Sequence, residues 1–241
     1  MFIKKSKGVI MPRVRGNTVD IAVQKILHKI ENYELVTGDI VSDLELSKEF
    51  EMSRTPMREA IMILLDNGIL ERTKTKVVVK AITLNDINEI LEVREAIEQM
   101  SVEIIINNKG LTKAQLKELN VIQEKLCENI TNGNFDSNFE ADAMFHEKLA
   151  EYSGNERFLD ICKRIYLQSQ RLRWITMLTP SRYTETCEEH QKIIDALTNL
   201  DLSVAKEAIH SHLQNSKSNY DDIINNKQWN KIAQQMKNMR L

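Results

Sequence analysis

Glycine and proline are scarce in this chain, seven and three among 241 residues. So few turn-formers and chain-breakers exclude a turn-rich β-sandwich and favour long helices. Long uncharged apolar runs are also lacking. None approaches the ~18–20 residues that cross a bilayer, so no membrane segment is expected. The first residues carry charges but neither an apolar h-region nor a small-residue cleavage site, so no secretory signal is expected. Cysteine is sparse, odd in number and scattered at Cys127, Cys162 and Cys187. That reads as packing residues in a reducing cytoplasm rather than a disulfide frame. Hydrophobic residues at 42% and charged residues at 28% exclude wholesale disorder, and the length accommodates two cores.

The formal charge of −2 conceals an uneven distribution. Residues 1–80 carry 14 Lys+Arg against 11 Asp+Glu, whereas residues 81–241 carry 19 against 24. Residues 1–16 hold five basic side chains, no acid and no apolar periodicity, so they read as a flexible basic arm, either solvated or DNA-contacting. A mildly basic head on an acidic body points to a polyanion partner for the head alone.

Helical spacing begins after the arm. Ile21, Val23, Ile26, Leu27 and Ile30 make one face of a helix over about 19–32, and Gly38 breaks the chain. Ser42 and Glu45 form a capping box that opens a short helix to about Phe50. A tight turn at Glu51-Met52 leads to Ser53, the N-cap of a third helix whose apolar face is Met57, Ile61, Leu64 and Leu65. Pro56 is tolerated in its first turn, and Asn67-Gly68 ends it. Two β-prone runs, Ile69–Thr73 and Val77–Ala81, flank Lys74-Thr75-Lys76. Three helices with a very short second connection and a β-ribbon predict a winged helix-turn-helix over 17–81. The third helix would then lead into the major groove with Arg54, Thr55 and Arg58. Arg54 and Arg58 share a face away from Met57, and guanidinium forks match guanine O6 and N7. The bland alternative pairs them with Glu51 or Glu59.

Ser53-Arg54-Thr55-Pro56-Met57-Arg58-Glu59-Ala60, followed by Leu65 and Gly68-Ile69-Leu70-Glu71-Arg72, resembles the recognition-helix signature of GntR-family transcription regulators. Two positions depart from the family pattern. Leu44 stands where a basic residue is usual, and the Lys74-Thr75-Lys76 wing has no glycine. The resemblance implies a DNA interface of Ser53, Arg54, Thr55 and Arg58, with Lys74 and Lys76 available to the phosphate backbone.

From Thr83 onward the spacing predicts six helices, over roughly 84–106, 112–131, 136–152, 156–177, 181–199 and 202–224. The expected architecture is mainly α, the winged head followed by a six-helix antiparallel bundle over 84–224, with a tail at 225–241. A connector without Gly or Pro predicts coupled rather than loosely tethered domains. Three histidines fall on inward stripes. His146 lies with Asp142 and Leu149, His190 with Tyr183, Cys187, Ile194 and Leu197, and His212 with Ala205, Ile209 and Ser216. Neighbouring His210 falls on the wet face. A buried carboxylate is costly unless paired, so a divalent cation shared by all four groups is one reading. Separately bonded core histidines with an Asp–His pair are the other. Imidazole with carboxylate suits zinc, nickel, iron or manganese. Arg94 sits in the stripe Ile87, Ile90, Leu91, Ile97 and Ser101, where it either pairs with Glu98 four residues on or awaits an anionic guest.

Asp142-Ala-Met-Phe145-His146, Gly154-Asn155, Glu189-His190 and His212-Leu213 are similar to the all-helical FCD ligand-binding domain of the FadR-like branch, in its six-helix VanR-type form. That likeness implies a divalent metal, zinc foremost, on Asp142, His146, His190 and His212, with positions left for water or an acidic metabolite approached by Arg94. The expected protein is a cytoplasmic homodimeric regulator, a repressor by occlusion, on a near-palindromic double-stranded operator. Its operator binding would be modulated by a small carboxylate-bearing metabolite. Two rivals remain: a metal-dependent enzyme with an accessory nucleic-acid head, and a regulator with a purely structural metal. Against the enzyme, no general base lies beside the ligands and no nucleophile motif is present.

Overall fold

The computed structural model describes residues 17–32, 34–131, 135–169, 172 and 179–225. The basic arm, residues 170, 171 and 173–177 of the stretch expected as the fourth body helix, the Tyr183 side chain and the tail beyond 225 lie outside the described residues. The chain divides into two compact units between Ala81 and Ile82.

The first unit holds α1 (Asn17–Glu31), α2 (Asp43–Glu49), α3 (Arg54–Asp66), β1 (Leu70–Arg72) and β2 (Val77–Val79). The apolar faces of the helices meet in one core, with Val23 and Ile26 of α1, Leu46 of α2 and Met57 and Leu64 of α3 all buried. β1 and β2 pair antiparallel with Leu70 opposite Val79 and Arg72 opposite Val77. The α1–α2 loop lines their edge, since Gly38 and Val41 donate to the Val79 and Val77 carbonyls at 2.9 Å each. Gly38 turns the chain there at φ +86°, a left-handed conformation that costs an L side chain about 1–2 kcal/mol. Ser42 Oγ accepts from the Glu45 N–H at 3.3 Å, which is half of the expected capping box. Ser53 stands at the α3 N-cap, but its hydroxyl makes no capping bond. Glu51, at φ +53°, carries the tight α2–α3 turn.

The second unit is all helical, with α4 (Leu84–Asn107), α5 (Lys113–Thr131), α6 (Phe135–Tyr152), α7 (Glu156–Ser169), α8 (Pro180–Asn199) and α9 (Leu202–Asn225). Thr83 and Asp86 complete a full capping box at the start of α4. Helix α4 packs on α6, α7 and α9, and α5 packs on α6 and α8. Phe145 and Leu149 of α6, Leu119 of α5, Ile193 of α8 and Ile209 of α9 fill the shared core. No described helix is long and apolar enough to cross a membrane.

The cysteines depart from the sequence expectation. Cys127 of α5 and Cys187 of α8 are joined by a disulfide, with their Cα atoms 5.9 Å apart, and only Cys162 is a buried free thiol. Sixty residues of chain separate the pair, so sequence spacing carried no sign that α5 and α8 bring them together.

Candidate metal centre and nucleic-acid interface

Three helices deliver the inward histidines to one point. His146 comes from α6, His190 from α8 and His212 from α9, at 4%, 0% and 2% exposure, while His210 lies outside against Glu95 at 2.7 Å. Asp142, one turn before His146, completes the group, and one ligand atom from each of the four lies within 4.8 Å of the others. His190 Nε2 is 3.2 Å from His146 Nε2. Asp142 Oδ1 lies 3.5 Å from His190 Nε2 and 3.8 Å from His146 Nε2. Donors about 2.0–2.1 Å from a tetrahedral zinc stand ~3.3 Å apart, and the His146–His190 and Asp142–His190 separations of 3.2 and 3.5 Å are close to that. Two buried imidazole nitrogens facing each other need a proton or a cation between them. The donor set therefore fits a divalent ion.

Carboxylates behind the rings fix which nitrogen faces inward. His146 Nδ1 meets Glu98 Oε2 at 2.8 Å, and His212 Nδ1 meets Glu189 Oε2 at 2.7 Å. Each carboxylate is braced in turn by an arginine. Arg94 Nε donates to Glu98 Oε1 at 2.9 Å, and Arg182 donates two bonds to Glu189, at 2.9 and 2.6 Å. Such carboxylate–imidazole pairs set the tautomer and orientation of metal-binding histidines. His190 is oriented differently, by stacking on Phe145 with centroids 4.0 Å apart and planes within 8°.

The charges follow from this packing. Burial raises the Glu98 and Glu189 carboxyls, but the charge of His146 on the one and the hydrogen bond of His212 on the other, joined by their arginines, win and hold both at about 2. Burial is opposed likewise at Asp142, where the bond and charge of His146 keep the carboxyl well below its ordinary range. Burial and then the charges of His212 and His146 hold His190 well below the usual imidazole value. Burial also lowers His212 despite its bond to Glu189, whereas the Glu98 charge raises His146 against burial.

Beside the cluster lies a cavity of about 50 Å³, lined by Arg94, Asp142, His146, Phe139, Tyr166 and Tyr220 among others. Arg94 makes, through its Nε, the pair with Glu98 that one sequence reading gave. Its Nη2 is buried with no hydrogen-bond partner among the described residues. The sequence reading assigned Glu98 only to Arg94 and missed Glu189 as the brace of His212, along with Arg182. The available signals were Glu189 beside His190 and the seven-residue spacing of Arg182 and Glu189 on one face of α8.

In the first unit, Arg54, Thr55 and Arg58 are exposed on the first turns of α3, and Ser53 is exposed just before them. The arginines pair with neither Glu51 nor Glu59. Arg54 Nη2 and Arg58 Nε both donate to Asp43 Oδ2 of α2, at 2.8 and 2.6 Å. Against a raising effect of burial, these bonds hold the Asp43 carboxyl below its ordinary value. Lys74 and Lys76 are exposed on the β1–β2 turn. The Thr73 N–H closes that turn on the Lys76 carbonyl at 2.8 Å, and the Lys76 N–H on Thr73 Oγ1 at 3.2 Å, without glycine.

Residues 18–78 match the model of bacterial regulatory proteins of the gntR family, and residues 89–215 match the FCD domain. The HTH-type transcriptional regulator YdhC of Bacillus subtilis is 26% identical over 180 residues, 73% of this chain and 78% of that protein. The gluconate operon transcriptional repressor of Bacillus licheniformis is 24% identical over 231 residues, 92% of this chain and 93% of that one. Among solved structures, Escherichia coli McbR/YncC superposes with a TM-score of 0.74 at 18% identity, over 86% of this chain and 98% of that one, a likeness of fold.

Proposed function

This chain belongs to the GntR family of bacterial regulatory proteins, with an FCD domain behind a winged helix-turn-helix, and from that premise we propose a metal-dependent, metabolite-responsive repressor. It is a DNA-binding transcriptional regulator of that family. Two copies bind a near-palindromic operator in the cytoplasm, reading bases through Arg54 and Arg58 and holding phosphates through Lys74 and Lys76. Asp142, His146, His190 and His212 would hold a divalent ion, zinc before nickel, manganese or iron. Bound there, such an ion would supply positive charge to an acidic guest.

The unpartnered, buried Nη2 of Arg94 carries the reading. A buried guanidinium nitrogen without an acceptor is costly, and it lines the same cavity as Asp142 and His146. A small acid placed there satisfies it. The cavity volume favours a molecule of few atoms. The effector's leverage on DNA equals its differential affinity for the protein on and off the operator, about 1–3 kcal/mol in typical cases. The existence of a curated relative that is an operon repressor supports repression over activation.

The test is operator binding by the zinc-loaded protein against a panel of small mono- and dicarboxylates. At least one acid should weaken operator binding about 5–150-fold. Arg94→Ala should lose that response while still binding zinc stoichiometrically. If no acid shifts operator affinity and chelation lowers only the melting temperature, the metal is structural. Metal-dependent turnover of a bound acid would instead favour an enzyme.

A further inference from the structure

We infer that Cys127 and Cys187 are a reversible, peroxide-sensitive dithiol that clamps α8, the helix carrying Glu189 and His190, against α5. The bond joins α5 to α8 and enters α8 one turn before His190. A second tie lies beside it. Gln123, buried one turn before Cys127 on α5, donates from Nε2 to the Cys187 carbonyl at 2.6 Å. That hydrogen bond does not depend on the disulfide, so the reduced thiols stay within reach of each other and closure is reversible. The cysteines are chemically sorted as well. Cys127 and Cys187 are half-buried, while Cys162 is buried in a cluster with Ile97 and Ala150 and its thiol is pushed up to about 12, first by burial.

With hydrogen peroxide as oxidant the chemistry balances. One thiol sulfur attacks a peroxide oxygen, the O–O bond breaks, and a sulfenic acid and one water form. The second thiol sulfur then attacks the sulfenic sulfur, the S–S bond forms, and its proton leaves with the hydroxyl as a second water. Two electrons pass from the two sulfurs to the peroxide, and the protein loses two hydrogens. A low-molecular-weight thiol restores the pair by exchange. Closure ties α8 covalently one turn before His190, so it restricts the motion of Glu189 and His190. Its effect on metal release rests on the metal reading above, whereas its effect on α8 does not.

The experiment compares full-length protein treated with hydrogen peroxide or with a phosphine reductant. Alkylation after denaturation, amide exchange across residues 184–191 and zinc release to a coloured chelator are measured in each state. Peroxide should leave Cys162 alone alkylatable, remove two hydrogens within one chain, slow exchange in α8 and slow zinc release about tenfold. Cys187→Ser and Cys127→Ser should each lose the difference between states, and Cys162→Ser should keep it. The inference is overturned if all three cysteines still alkylate after peroxide, or if the bond forms and α8 exchange is unchanged. Redox-dependent exchange in a protein that binds no zinc in either state would uphold the clamp and reject the metal reading.

Discussion

At the residue scale, one oxygen of Asp43 holds the two arginines that lead α3. The shared carboxylate keeps both forks on one face of the helix start, so in the proposed DNA complex a duplex would meet a pair whose positions are already correlated. Exposed ion pairs are worth little in stability, and these arginines are about half exposed or more, so the pairing matters for placement rather than for folding. Arg54→Ala should cost ~1–3 kcal/mol of discrimination at one base position, while Lys76→Ala should weaken all sequences alike and flatten the salt slope. Anisotropy titrations on the operator and its single-base variants, at several salt concentrations, separate the two; unchanged selectivity in Arg54→Ala would contradict the recognition role. In the second unit, His146→Ala removes the ring that touches both Glu98 and His190. The variant should lose stoichiometric zinc in elemental analysis after dialysis. Full retention at unchanged affinity would remove His146 from the site.

At the scale of elements, the inward placement of each clustered histidine is legible from its stripe, because a 3.6-residue period separates inward from outward positions without knowledge of the partner helix. His212 against His210 is the clearest case, with one buried and the other exposed as the period requires. What the stripes could not give was contact between distant segments. Arg182 reaching the His212 carbonyl, Asp43 reaching α3, and Cys127 meeting Cys187 all depend on which helices adjoin. Local rules also overreached at Ser53, whose residue type suits a cap but whose hydroxyl makes no such bond. The stack of Phe145 on His190 ties the core of α6 to the histidine of α8, and Phe145 is fully buried. Phe145→Ala should therefore destabilise the protein by about 3–5 kcal/mol in denaturant titration and weaken zinc binding as well. A loss under about 1 kcal/mol, within the range of surface substitutions, would contradict the packing described.

For the molecule as a whole, the more basic first 80 residues and the more acidic remainder match the proposed division, polyanion contact in the first unit and an ion-and-acid site in the second. The winged fold and the helical bundle follow from periodicity and caps, and the membership of the GntR family follows from matches over residues 18–78 and 89–215. The effector and its response rest on the buried cluster and on Arg94. The claim on which the rest depends is that the head reads sequence. Selection from a pool of random duplex DNA by the zinc-loaded, full-length protein, with Arg58→Ala run beside it, tests this most directly. The account predicts enrichment of a two-fold-symmetric motif by the native protein and loss of that motif in the variant. No enriched motif at low salt, with or without zinc, or the same motif enriched equally by Arg58→Ala, would contradict it.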